Sequence, residues 1–114
     1  MKLTSVNSVE SFVTKDGSFI RELHHSEAQS LAEATLEPDQ ATQRHYHRAS
    51  EEIYFVVKGA GDMEVDGEHK RIAVGDAVLI PAGAWHSLHN NGTSELRILC
   101  VCVPPYSDAD TYFE

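Results

Sequence analysis

Turn-forming residues interrupt this chain at short, fairly even intervals, and that spacing constrains its fold more than any other feature. Asp16-Gly17, Glu37-Pro38-Asp39, Lys58-Gly59, Asp66-Gly67, Val74-Gly75-Asp76, Pro81-Ala82-Gly83 and Asn91-Gly92 leave room between them for short strands. The intervening runs are rich in β-branched and aromatic residues, so the pattern predicts an all-β barrel or sandwich. Asp66-Gly67 predicts a tight hairpin between the flanking segments 61–65 and 68–72. Only Glu27 to Thr35 has a helix-friendly composition. Its place between strand-like runs and its nearness to Pro38 predict a strand there too. After Val103, Pro104-Pro105 opens a stretch expected to leave the barrel as an extended tail.

A chain of 114 residues forms one domain. We divide it into an N-terminal arm (1–17), a core barrel (about 18–103) and a C-terminal tail (104–114). Nine basic against eighteen acidic residues give a net charge of -9, which argues against nucleic acid and anionic membranes as partners. The opening residues Met1 to Asn7 lack the apolar core of a signal peptide, and no apolar run approaches membrane-spanning length. The expected compartment is the cytoplasm.

Two strand-like segments carry apolar residues on both faces. Ile53, Phe55 and Val57 alternate with Tyr54 and Val56, while Leu99, Val101 and Val103 alternate with Ile98, Cys100 and Cys102. An antiparallel strand with one wet face should alternate with polar residues instead. A second subunit is the simplest cover, so a homodimer is expected. Cys100 and Cys102 share a strand face and are read as buried small hydrophobes rather than metal ligands or a disulfide.

Chemistry concentrates in two histidine-centred segments. His45 and His47, two apart, project to one face of a strand, and a carboxylate at Glu51 or Glu52 returns from the next strand. Parity alone does not choose between these two. His86 follows the tight Pro81-Ala82-Gly83 turn. Three imidazoles and a carboxylate suit a first-row transition metal held in an open, reactive site.

These segments resemble the two motifs of the cupin superfamily. The second motif is matched in full by Gly75, Pro81, Gly83, His86 and Asn90, and the first at His45, His47, Glu52 and Gly59. The interval to Gly59 selects Glu52 over Glu51. The one departure is Asp39 where the family usually has glycine; Asp tolerates turn conformations better than most residues. The resemblance covers roughly residues 30 to 103. It implies a six-stranded double-stranded β-helix, a small jelly-roll barrel, and carries metal-ligand roles to His45, His47, Glu52 and His86. The implied cofactor is one divalent transition metal per subunit, Fe, Mn, Ni or Co, with Zn as an occupant, and open positions for a small molecule.

Gln43 shares the parity of His45 and His47 and is expected to face the cavity; Tyr54, two after Glu52, could present its hydroxyl to substrate. These two are the candidate catalytic residues. His24 and His25 lie in an early strand, so one should point inward. Arg21, His69 and His89 are read as surface residues, Trp85 as packing near the barrel mouth, and Asn90 as a turn-fixing side chain. The expected function is a metal-dependent enzyme on a small molecule, either dioxygenase-like or a Lewis-acid isomerase or lyase. The alternative is a non-catalytic module that binds or senses a small ligand through its metal.

Overall fold

The computed structural model describes residues 1–114. Its strands are β1 (Phe12–Val13), β2 (Phe19–His25), β3 (Ser30–Leu36), β4 (His45–His47), β5 (Glu51–Lys58), β6 (Ala60–Val65), β7 (Glu68–Ala73), β8 (Ala77–Ile80), β9 (His86–His89), β10 (Leu96–Val103) and β11 (Thr111–Phe113). They form two antiparallel sheets, in the orders β1-β2-β3-β10-β5-β8 and β11-β4-β9-β6-β7. The barrel implied by the two motifs is thus present, with further short strands extending it. The helical segments are three-residue turns at Val6–Ser8 and Asp108–Asp110, so no helix is long and apolar enough to cross a membrane.

Local chemistry explains the joints. Asp66 and Gly67 both take positive φ (48° and 86°), the pairing a two-residue hairpin needs, and Val65 pairs with Glu68 as expected. Asp39 has φ 68°, which accounts for the usual glycine there. Its own N–H donates to the Asn90 carbonyl at 2.7 Å. Asn90 is fully buried and staples the opposite turn. Its Nδ2 donates to the carbonyls of Leu36 and Ser94, each at 2.9 Å, and its Oδ1 accepts from Gly92 N–H at 3.1 Å.

The core between the sheets is built from Leu36, Val56, Ile72, Ile80, Leu88, Leu96 and Ile98, among others. On β5 the alternation is strict: Glu52, Tyr54 and Val56 point inward, while Glu51, Ile53, Phe55 and Val57 face out. The register places Cys102 opposite Glu52, Cys100 opposite Tyr54 and Ile98 opposite Val56, so both cysteines point inward.

Three expectations change. The segment after Val103 does not leave the barrel: Thr111, Tyr112 and Phe113 pair with His47, Tyr46 and His45, adding an edge strand to β4. An extended run of Thr, Tyr and Phe fits a pleated surface well, and β4 would otherwise expose an unpaired edge. Neither His24 nor His25 turns inward; the register shifts between Glu22 and His24, and both histidines are exposed. Gln43 precedes β4, which begins at His45, so strand parity does not reach it, and its side chain is exposed.

The two outer faces differ. On the second sheet Tyr46 stacks on Tyr112 (ring centroids 5.0 Å apart) and meets Trp85 edge-on at 4.7 Å, while Arg44 lies over the Trp85 ring. The rings cover one another in part, with Tyr112 still 39% exposed. On the first sheet Ile53, Phe55, Leu79 and Val103 remain open, at 41%, 40%, 57% and 52% exposure.

Candidate metal centre

The four ligands expected from the motifs meet between the sheets. His45 and His47 come from β4, His86 from β9 beside it, and Glu52 from β5 on the facing sheet; all are buried. Each imidazole offers one nitrogen to a cluster whose atoms all lie within 4.8 Å of one another. Glu52 Oε1 stands 3.2 Å from His47 Nε2 and 3.5 Å from His86 Nε2. Ligands about 2.1 Å from a first-row ion stand roughly 3.0–3.4 Å apart, so this spacing fits one ion.

The outer nitrogen of each ring fixes its tautomer. His45 Nδ1 donates to the Gln43 carbonyl at 2.6 Å, and His86 Nδ1 to the Ala84 carbonyl at 3.0 Å. A carbonyl can only accept, so each Nδ1 carries the proton and Nε2 is left as a lone pair. His47 Nδ1 meets Thr111 Oγ1 at 3.0 Å. The Thr111 hydroxyl spends its own proton on the Ser107 carbonyl at 2.9 Å, so it accepts from His47. Three Nε2 lone pairs and a carboxylate oxygen thus converge in a buried space. His86 Nε2 and Glu52 Oε1 have no hydrogen-bond partner there. A proton between His47 Nε2 and Glu52 Oε1 or a bound cation relieves such crowding of acceptors, and a divalent transition metal fits the donor set.

Electrostatics agree. Burial works to raise the Glu52 carboxyl, but hydrogen bonds and positive charge from the His47 and His86 side outweigh burial and hold it at about 2, so a cation in this position favours the ionised carboxylate. Burial, with His86 adding to it, lowers His45 and favours its neutral, ligating form. Cys102 Sγ donates to Glu52 Oε2 at 3.2 Å, leaving Oε1 to face the imidazoles. Burial pushes both the Cys100 and Cys102 thiols up, so they stay protonated and inert, in keeping with packing roles.

A cavity of about 70 Å³ adjoins the centre, lined by His45, His47, Glu52 and Tyr54 together with β2, β3 and β10. Tyr54 is buried in its wall, its ring 6.0 Å from that of His86, and burial raises its phenol well above the ordinary value. Gln43 is not in the wall. Its backbone carbonyl orients His45, while its side chain reaches the Glu114 carbonyl at 3.5 Å. His69 pairs with Asp62 at 2.8 Å and His89 with Asp39 at 3.2 Å, both outside the site.

The residues not foreseen come from β11. Thr111 touches His47, and Phe113 lies 5.6 Å, ring to ring, from His45. Asp110 secures the strand by accepting from the N–H groups of Ala49 and Ser50 at 2.8 and 3.1 Å. The legible signal was the alternating Thr111-Tyr112-Phe113 run, which has the composition of a strand.

Comparison with known proteins agrees with this architecture. The cupin domain model matches residues 32–102, and the chain belongs to the cupin domain family. A Methanocaldococcus jannaschii protein of uncharacterised function is 42% identical over 113 residues, covering 95% of this chain and 90% of its own length. An oxalate-binding protein of Thermotoga maritima is 30% identical over 83 residues, covering 73% of this chain and 69% of that protein. The structure of KdgF from Halomonas sp. superposes with a TM-score of 0.86 over 96% of this chain and 98% of that one, at 18% identity, a likeness of fold alone.

Proposed function

We propose that this protein is a metal-dependent enzyme acting on a small molecule, with His45, His47, Glu52 and His86 holding one divalent transition metal. The observation that carries the reading is the convergence of four buried donors, two of their atoms without partners, on the edge of a cavity between the sheets. When bound, such a metal supplies Lewis acidity and, if it is iron, manganese or cobalt, electron transfer to or from dioxygen. Every other part of the task falls to the chain. Gln43, Ala84 and Thr111 keep the imidazoles pointed inward, Cys102 orients Glu52, and apolar walls exclude water. Tyr54, protonated and buried, is placed to donate a hydrogen bond to a substrate oxygen.

Isomerisation or elimination needs a base to take a proton from carbon, and outside the metal set the carboxylates that line the cavity are Asp16 and Glu22. Glu52 belongs to the metal set, and Asp16 Oδ1 accepts from Thr14 Oγ1 and from Ser18 N–H and Oγ at 2.5, 3.0 and 2.7 Å. Glu22 is the lining carboxylate that no internal hydrogen bond engages, so the dioxygenase-like and the isomerase or lyase reactions share this site, and the second reading is a module that binds its ligand without turning it over. The open apolar face around Ile53, Phe55 and Val103 supports a homodimer, with a second copy as its cover.

The test is anaerobic reconstitution with Fe(II), followed by oxygen uptake with diketones, phenols and thiols. Uptake that disappears in His47→Ala supports the oxygenase. Solvent-proton exchange without uptake points to the isomerase or lyase, and tight binding without turnover points to the binding module.

A further inference from the structure

The cavity beside the metal centre has an unusual charge inventory for a site that would hold an acid. No arginine or lysine contributes to its wall. Arg44 is taken by Glu64 at 2.7 Å and Glu114 at 2.5 Å, and Arg97 by Glu95. The charged side chains that do line it, apart from the ligands, are Asp16 and Glu22. Ile20, Ala34, Leu36, Leu88 and Ile98 make much of the remaining surface apolar. Among the wall hydroxyls, Thr14 and Ser18 bond with Asp16 and Tyr106 with Asp108 at 2.9 Å, while Ser30 Oγ and Thr42 Oγ1 accept from the N–H groups of Tyr106 and Leu88. The Tyr54 phenol forms no hydrogen bond within the protein and borders the same space.

Three neutral imidazoles, one carboxylate and a divalent ion sum to a single positive charge. One anionic oxygen would balance it. A second would be buried without a cationic or charge-assisted partner, near two acidic side chains, in a protein already at -9.

We infer that the site selects a compact, uncharged molecule with a largely apolar body, which grips the metal through adjacent oxygens and accepts one hydrogen bond from Tyr54. Dicarboxylates such as oxalate and phosphate esters are disfavoured, even though one relative binds oxalate. This rests on the metal reading above and adds the ligand class to it.

The experiment compares two hydroxypyranones with the same chelating hydroxyketone: maltol, which is neutral, and comenic acid, which carries a carboxylate. Both are titrated into the Co(II)-loaded full chain, following the visible cobalt spectrum, with protein-bound cobalt measured after dialysis. The expected result is a ternary spectrum with maltol binding at least tenfold more tightly than comenate or oxalate. Tyr54→Phe should weaken maltol several-fold while leaving cobalt content at the wild-type level. Equal or tighter binding of comenate or oxalate overturns the inference, as does removal of cobalt by maltol without a ternary spectrum. Cobalt loading far below one ion per chain would instead sink the metal reading, and the ligand class with it.

Discussion

Thr111 Oγ1 lies 3.0 Å from His47 Nδ1, so a residue three from the final position of the chain orients one of the proposed metal ligands. The hydroxyl accepts from the imidazole because its own proton is committed to the Ser107 carbonyl. Its partner strand holds two of the proposed ligands, and β11 backs both of them. The C-terminal strand is therefore part of the site.

Replacing Thr111 with valine keeps the strand's shape and removes the acceptor. Loss of such a contact is expected to weaken metal binding about 10- to 100-fold. Thr111→Ser should restore most of it. Competition titration with a chromophoric chelator measures both, and circular dichroism should show an unchanged fold.

The metal-free protein should lose stability on acidification in two stages. His45 releases its proton more readily folded than its ordinary value of 6.5, so below that value the unfolded chain binds more protons and stability falls. The Glu52 carboxyl sits at about 2 when folded against 4.5, so its contribution is full above 4.5 and is lost as pH falls towards 2. Melting temperature recorded from about pH 7 down to about pH 3 checks this. Metal should shift the first decline to lower pH, since the ion competes with protons for the same lone pairs.

Much of this was legible in the residues, and the exceptions have physical causes. Asp66-Gly67 specified its hairpin because both positions must take positive φ, and the resemblance to the cupin motif, through its interval to Gly59, separated Glu52 from Glu51 where alternation alone did not. His24 and His25 defeated the alternation argument because they close β2 beyond a register shift, where both are exposed. Gln43 failed because parity was carried past the start of β4. Thr111 could not be assigned a partner at all. Its contact with His47 spans 64 positions and exists only once the chain has turned back after Pro104-Pro105.

Gly59 is required by its surroundings. It has φ 80°, and a Cβ there would lie 2.5 Å from the Glu95 carbonyl oxygen and 3.1 Å from Leu96 Cα, both backbone atoms. Gly59→Ala should cost at least about 2 kcal/mol, combining left-handed strain with overpacking. Urea unfolding would show this as a lowered midpoint with an unchanged slope.

The proposed homodimer makes a direct expectation for Phe55. It is 40% exposed at the centre of the open face, opposite Leu99 and beside Ile53 and Val57 in its strand. Phe55→Lys should give a monomer by light scattering, where the wild type is dimeric at micromolar concentration, and metal content should stay unchanged. A monomeric wild type contradicts the proposal.

The central claim concerns the four converging donors, and metal stoichiometry tests it most directly. Purified protein is stripped, reconstituted anaerobically with Fe(II), Mn(II), Ni(II), Co(II) or Zn(II), desalted and analysed by plasma mass spectrometry. The account expects close to one ion per chain with at least one of these metals, and sharply reduced loading in His86→Ala and Glu52→Ala. Folded wild-type protein that retains no stoichiometric metal under any of these conditions, or variants that load as well as wild type, would contradict it.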